Sequence, residues 1–329
     1  MLKRSSLFCG LVLAASSMTT LAADKVTFQL DWLPGGDKAP IYVCIQEGFC
    51  AEEDIEVTIA GGRGSSEAVT KIATGLSDIG LSGISALMAA KAKGEIPVTA
   101  VMSKFNKGPH AFYTLEDSGI KEIKDVKGKK IATSPFTASN VFLPLVLADV
   151  GLSEADIELT KADPGSLGPL LMTGQVDAII AWVTDVSRYV SQGESAGKKV
   201  TYLPWSAAGL DLYSASVVAS DKFLKERPEV AKRFLKAYIK SMNFAKDNTA
   251  KAAEAVVAKV PELNTESVEA SFIDSLPLVY NEITEKNGLG TFEPTRLAVT
   301  WERVAKAQGL DIKALDPETL VDRSFLPTE

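Results

Sequence analysis

The sequence predicts an α/β protein of two lobes hinged by crossing segments. Three observations carry that expectation: strand and helix patterns alternate with short connections, the plan is run through twice, and about 305 residues remain once an export segment is set aside. A chain of that length exceeds what a single core usually organises.

The first series starts with VTFQL (26–30), which alternates apolar and polar residues. PIYVCIQEG (40–48) then has proline in a first turn and glycine at its end, the marks of a helix. EVTIA (56–60) alternates again, and SSEAVTKIATG (65–75) opens on hydroxyl caps, keeps Val69, Ile72 and Ala73 on one face and stops at Gly75. DIGLS (78–82), SALMAAKAKG (85–94) and VTAVM (98–102) repeat the plan, so this sheet is expected to be parallel and covered on both faces. The second series runs from the strand-like 111–115 through KKIAT (129–133), a helix over 141–151, IELTKA (157–162), a helix over 165–174 and DAIIAW (177–182). The chain returns through TYLPW and LYSASVVAS, and from Asp221 onward the pattern is helical, with Val230, Phe234 and Tyr238 at helical spacing. Segments near 103–115 and 213–219 run out and back between the lobes. The expected organisation is therefore a signal segment over 1–23, a first lobe over 24–113 completed by 214–329, and a second lobe over 114–213.

Residues 1–23 carry Lys3, Arg4, an apolar run and a small-residue end, the pattern of a secretory signal, which leads to an expectation of an exported protein. Its two cations leave a net charge of −9 on the remainder of a chain whose total is −7. That acidity argues against nucleic acid or an anionic membrane surface as partner. Cys44 and Cys50 read either as small buried hydrophobes or as a local disulfide, and spacing alone does not choose between them.

In open α/β sheets ligands meet the carboxyl ends of strands, and four turns occupy such positions. In DWLPGGD, Trp32 offers a stacking face, Gly35 and Gly36 permit close backbone approach, and Asp37 reads as a helix cap or a ligand contact. GGRGSSEAV suits an anion at a helix start, but lacks the glycine spacing of a dinucleotide fingerprint and has no GK[ST]. LSGISAL, with Ser82 and Gly83, fails as a nucleophile elbow because Ile84 stands where glycine is required. SPFTASNVF crowds Ser134, Thr137, Ser139 and Asn140 at another helix start. His110 is the sole histidine, so any triad or zinc site would have to pass through it. Arg63, Lys104 and Lys107 could serve an acid; Asp31, Asp37 and Asp185 could serve an amine.

The blocks VTFQLDW, GFCAEEDIEVTIAGG, GLSDIGLSGISALMAAKAKGEIPVTAV, DVKGKKIATSPFTASN, TGQVDAIIAW and DKFLKERPEVAKRFLKAYIKSMNFAK, in that order, resemble the substrate-binding proteins of ABC importers for nitrate, sulfonates and taurine, including the NMT1/THI5-like branch. The resemblance implies a two-lobed periplasmic binding protein of type II, a Venus-flytrap α/β fold with two hinge crossovers and a helical C-terminal part. It places ligand contacts at Asp31, Trp32 and Asp37, at Ser82 and Gly83, at Ser134, Thr137 and Ser139, and at Trp182 and Asp185. It further implies a small organic solute (heteroaromatic and pyrimidine-like, a sulfonate or a carboxylate), delivery to a permease in the inner membrane, a periplasmic location and a monomer. No catalytic residue, metal or cofactor is expected, and the chain is expected not to be an enzyme. The alternative is a secreted enzyme of pyrimidine or thiamine-precursor metabolism on the same fold. Enzymatic relatives in that branch carry a dense cysteine cluster, where this chain reads YVCIQEGFC.

Overall fold

The computed structural model describes residues 22–327, so residues 1–21 of the expected signal segment lie outside the described residues. Ten strands are labelled in chain order among these residues: β1 (Asp24–Gln29), β2 (Ile55–Ala60), β3 (Ile79–Gly83), β4 (Val98–Ser103), β5 (His110–Leu115), β6 (Lys130–Thr133), β7 (Glu158–Lys161), β8 (Ala178–Trp182), β9 (Val200–Pro204) and β10 (Ala215–Ser220). They form two sheets, ordered β2-β1-β3-β10-β4 and β7-β6-β8-β5-β9.

The first sheet is mixed, which corrects the expectation of a parallel one. β1 is parallel to β2 and β3, whereas β10 is inserted antiparallel between β3 and β4. The reason is directional: β4 leaves toward the second lobe, so the strand that brings the chain back must run the other way. Every residue of β3 and of β10 is buried, as central strands covered on both faces require. The second sheet repeats the device, with β6 parallel to β7 and β8 and the outgoing β5 antiparallel to β8 and β9.

The helices that position the cleft are α1 (Ala39–Gln46), α2 (Phe49–Glu52), α3 (Ser65–Ala73), α4 (Ile84–Lys91), α5 (Ser139–Ala148), α6 (Pro164–Met172) and α7 (Val186–Ser195). The C-terminal part adds α8 (Asp221–Glu226), α9 (Pro228–Asp247), α10 (Thr249–Val257), α11 (Thr265–Ser275), α12 (Glu282–Asn287) and α13 (Pro294–Gln308). α9 starts at Pro228, whose missing N–H costs nothing in a first turn, and buries Phe234 and Tyr238 against Phe28 of β1 at ring-centroid distances of 5.7 and 5.8 Å. Cys44 of α1 and Cys50 of α2 form a disulfide, with Cα atoms 5.1 Å apart, which resolves the two readings of these residues.

The lobes are closed on one another. The backbone N–H of Ser66 donates to the Phe136 carbonyl at 3.0 Å, Ser134 Oγ donates to the Arg63 carbonyl at 2.8 Å, and Ser271 Oγ donates to the Thr184 carbonyl at 2.6 Å. Closure demands small residues at the seam. A Cβ on Gly83 would stand 2.6 Å from the Cβ of Ala138 in the facing lobe, and one on Gly64 would stand 2.3 Å from the Phe136 carbonyl carbon.

Candidate functional site

The carboxyl ends of β1 and β8 supply the walls of a small interlobe cavity of about 10 Å³, room for a single water while the lobes are closed. Asp31, Trp32, Lys38 and Ser65 line it from the first lobe, and Thr137, Trp182, Thr184 and Asp185 from the second. Two indoles and two carboxylates thus converge where the sheet ends meet. The Nε1 atoms of Trp32 and Trp182 are buried with no hydrogen-bond partner, as is Asp31 Oδ1.

Beneath this cavity lies a buried charge cluster. Lys38 is 2% exposed; its Nζ stands 3.3 Å from Asp31 Oδ1, donates to the Asp37 carboxylate, and sits 5.5 Å from the Trp182 ring centroid across the interface. The Asp31 pair lacks hydrogen-bond geometry despite its distance, which leaves that oxygen free to accept from something else. Lys104, also buried, donates to the Asp37 carbonyl and lies 4.5 Å from the Phe105 ring centroid. Burial opposes the charge on both lysines, with different outcomes. Asp31 and then Asp37 outweigh it at Lys38, whose ammonium is held above its ordinary range. At Lys104 burial prevails, with Asp37 opposing and Lys38 reinforcing it, and the pKa falls to about 8. On the facing lobe, burial lifts Asp185 to about 6 against the pull of Arg188, whose guanidinium is 3.9 Å away.

His110 is no part of the cavity wall. Its Nδ1 lies 2.8 Å from Ser139 Oγ, and its ring packs against Phe142, Trp205 and the edge of Trp182 at 5.3, 5.8 and 5.9 Å. Burial drives its pKa down to about 3, so the imidazole is neutral at ordinary pH.

Of the residues the sequence pointed to, Asp31, Trp32, Thr137, Trp182 and Asp185 come together on the cavity, and Asp37 stands behind Lys38. Ser82, Gly83, Ser134 and Ser139 lie one layer back. Ser82 Oγ donates to the Ser65 and Gly83 carbonyls, the Gly83 N–H donates to Ser65 Oγ, Ser134 binds Arg63, and Ser139 pairs with His110. Their hydroxyls are spent on closing and shaping the seam. Lys38, Ser65 and Thr184 were not foreseen. For Lys38 a signal existed: a cation at the start of a helix faces the positive end of its dipole, which is unfavourable unless acids surround it.

Similar proteins bear on what such a cavity does. A family model described as "NMT1/THI5 like" matches residues 36–252. A 4-amino-5-hydroxymethyl-2-methylpyrimidine phosphate synthase of Schizosaccharomyces pombe is 28% identical over 308 residues, covering 86% of this chain and 88% of that protein. The riboflavin-binding protein RibY of Chloroflexus aurantiacus is 25% identical over 310 residues, covering 92% and 86%. Among solved structures, the alkanesulfonate-binding protein SsuA of Xanthomonas axonopodis pv. citri bound to MOPS superposes with a TM-score of 0.72 at 17% identity, covering 92% of this chain and 99% of that one. At that identity the likeness shows the periplasmic-binding-protein fold alone.

The expectation that the chain is not an enzyme is corrected by these relatives, several of which are named as synthases of a pyrimidine phosphate. The missing cysteine cluster and the lone histidine had suggested otherwise, but both concern single residue types, whereas the match extends over most of the chain. A model match over about two thirds of its length means that the chain belongs to the NMT1/THI5-like family.

Proposed function

We propose that this protein is the periplasmic solute-binding component of an ABC importer, and that it captures a small planar nitrogen heterocycle of pyrimidine type between its lobes. The observation that carries the reading is the pairing of two tryptophans from opposite lobes with an Asp31 oxygen that has no hydrogen-bond partner. An aromatic ring between indoles gains about 0.5–1.5 kcal/mol per aromatic pair beyond burial. A ring amino group donating to Asp31 would give its Oδ1, otherwise held only by the Lys38 ion pair at 3.3 Å, a hydrogen bond of its own. Sulfonates and carboxylates fit less well, because Asp31 and Asp185 line the region an anion would enter and Asp37 stands close behind Lys38. The fold shared with SsuA and the RibY relative support capture of a small solute and its delivery to an inner-membrane permease. The pattern of residues 1–23 supports export.

The synthase relatives favour a second reading, an enzyme of pyrimidine or thiamine-precursor metabolism on the same scaffold. Calorimetric titration of the protein lacking residues 1–23 with aminopyrimidines, riboflavin, taurine and nitrate tests the first reading. Mass spectrometry of the same mixtures after prolonged incubation tests the second. Saturable binding of a pyrimidine recovered unchanged supports the solute-binding reading, and a new product supports the enzyme. Binding of taurine alone would contradict the assignment of ligand class.

A further inference from the structure

The interlobe cavity holds a cation of its own. Lys38 Nζ is 3.3 Å from Asp31, hydrogen-bonded to the Asp37 carboxylate, and 5.5 Å from the centroid of Trp182 in the facing lobe. Two carboxylates below an indole face make the kind of cage in which an organic ammonium or a ring cation is stabilised. Here that seat is filled by a side chain of the protein, tethered where the helix dipole alone would repel it. The same arrangement works against anions. A sulfonate or carboxylate reaching for Lys38 would come up against Asp31, Asp37 and Asp185, while the other buried amine, Lys104, lies behind Asp37 on its carbonyl. An uncharged ring meets neither obstacle: it can donate to Asp31 Oδ1 while stacking on an indole face.

Resting on the reading of this cavity as the solute site, we propose that Lys38 is a specificity-determining residue whose ammonium occupies the cation seat of the cage and thereby restricts the cleft to uncharged heterocycles. Lys38 does this by competition: a cationic guest must displace a tethered ammonium that never diffuses away. Removing the ammonium while keeping the aliphatic stem vacates the seat and leaves the carboxylates to recruit a cation from solution.

The test uses three six-membered rings that differ in charge: 4-aminopyrimidine, 1-methylpyridinium and pyridine-3-sulfonate, titrated at pH 8 into the wild type, Lys38→Met and Lys38→Arg. The wild type is expected to bind 4-aminopyrimidine at least about tenfold more tightly than either ion. Lys38→Met is expected to bind 1-methylpyridinium about tenfold more tightly than the wild type does, with the sulfonate still excluded, and Lys38→Arg to keep the wild-type order. Should Lys38→Met not fold, Lys38→Met/Asp37→Asn removes one charge of each sign, leaves Asp31 in place, and must show the same reversal. The proposal is overturned if the wild type binds the cation as well as the neutral ring, or if the ratio of cation to neutral binding is the same without the lysine ammonium. Failure of the underlying reading looks different: no ring of any charge binds any of these proteins.

Discussion

His110 Nδ1 and Ser139 Oγ lie 2.8 Å apart at the starts of β5 and α5, a buried pair set against the edge of Trp182. The neutral imidazole is therefore built into the wall behind the cavity, and its titration is a matter of stability. With a folded pKa of about 3 against about 6.5 when unfolded, His110 binds fewer protons folded than unfolded, so its contribution is present above pH 6.5 and lost as pH falls toward 3. Asp185 has the opposite sign: lifted to about 6, it favours the folded state at low pH, and that contribution is lost as pH rises from about 4 to 6. The two effects offset each other between about pH 4 and 6. Replacing His110 by Gln removes one of them. Urea unfolding at pH 7 and pH 5 is expected to show the stability advantage of wild type over His110→Gln shrinking by about 2 kcal/mol at the lower pH. An advantage independent of pH would mean that the imidazole is accessible to protons in the folded state.

Lobe closure rests on the absence of a side chain at Gly83, whose backbone angles suit any residue but whose Cβ would meet Ala138 of the facing lobe at 2.6 Å. Gly83→Val is therefore expected to leave each lobe folded while holding the two apart. Small-angle scattering would register a larger radius of gyration, and affinity for a pyrimidine ligand would fall about tenfold or more, since a cleft that cannot shut loses one of its two walls. Unchanged dimensions in solution would count against close contact at this seam.

The Cys44–Cys50 disulfide closes a loop of few residues between two short helices, both sulfurs in the core of the first lobe. Loop-closure entropy for so small a ring gives about 2 kcal/mol. Reduction is expected to lower the melting temperature by several degrees without altering ligand selectivity, because neither cysteine lines the cavity. A change in ligand order on reduction would place the bridge in the site.

Much of this architecture was legible in the chain, and the losses have physical causes. Strands and helices up to Trp182 followed from period and from glycine and proline punctuation, since β1, α3 and β8 each carry a local pattern that tertiary packing leaves alone. The insertion of β10 between β3 and β4 was invisible, because a strand that joins its sheet after more than a hundred residues leaves no local trace of its direction. Trp32 and its neighbouring acids stood out as costly residues at a strand end, whereas Trp182 and Asp185 were reached through the family resemblance. The hydroxyls of Ser82, Ser134 and Ser139 looked equally available, yet each is consumed by a partner that only the folded seam supplies. Lys38 went unread for the converse reason: a lysine in a polar turn is usually solvated, and its position at a helix start, though unfavourable, does not show that Asp31 and Asp185 gather about it beside Asp37.

The central claim is that indoles from opposite lobes clasp one guest, and titration of a pyrimidine ligand into Trp32→Ala and Trp182→Ala tests it most directly. Each substitution is expected to weaken binding about tenfold or more, with the folded structure retained by circular dichroism. Wild-type affinity in either variant would contradict the claim, because the guest would then be held somewhere other than between these two rings.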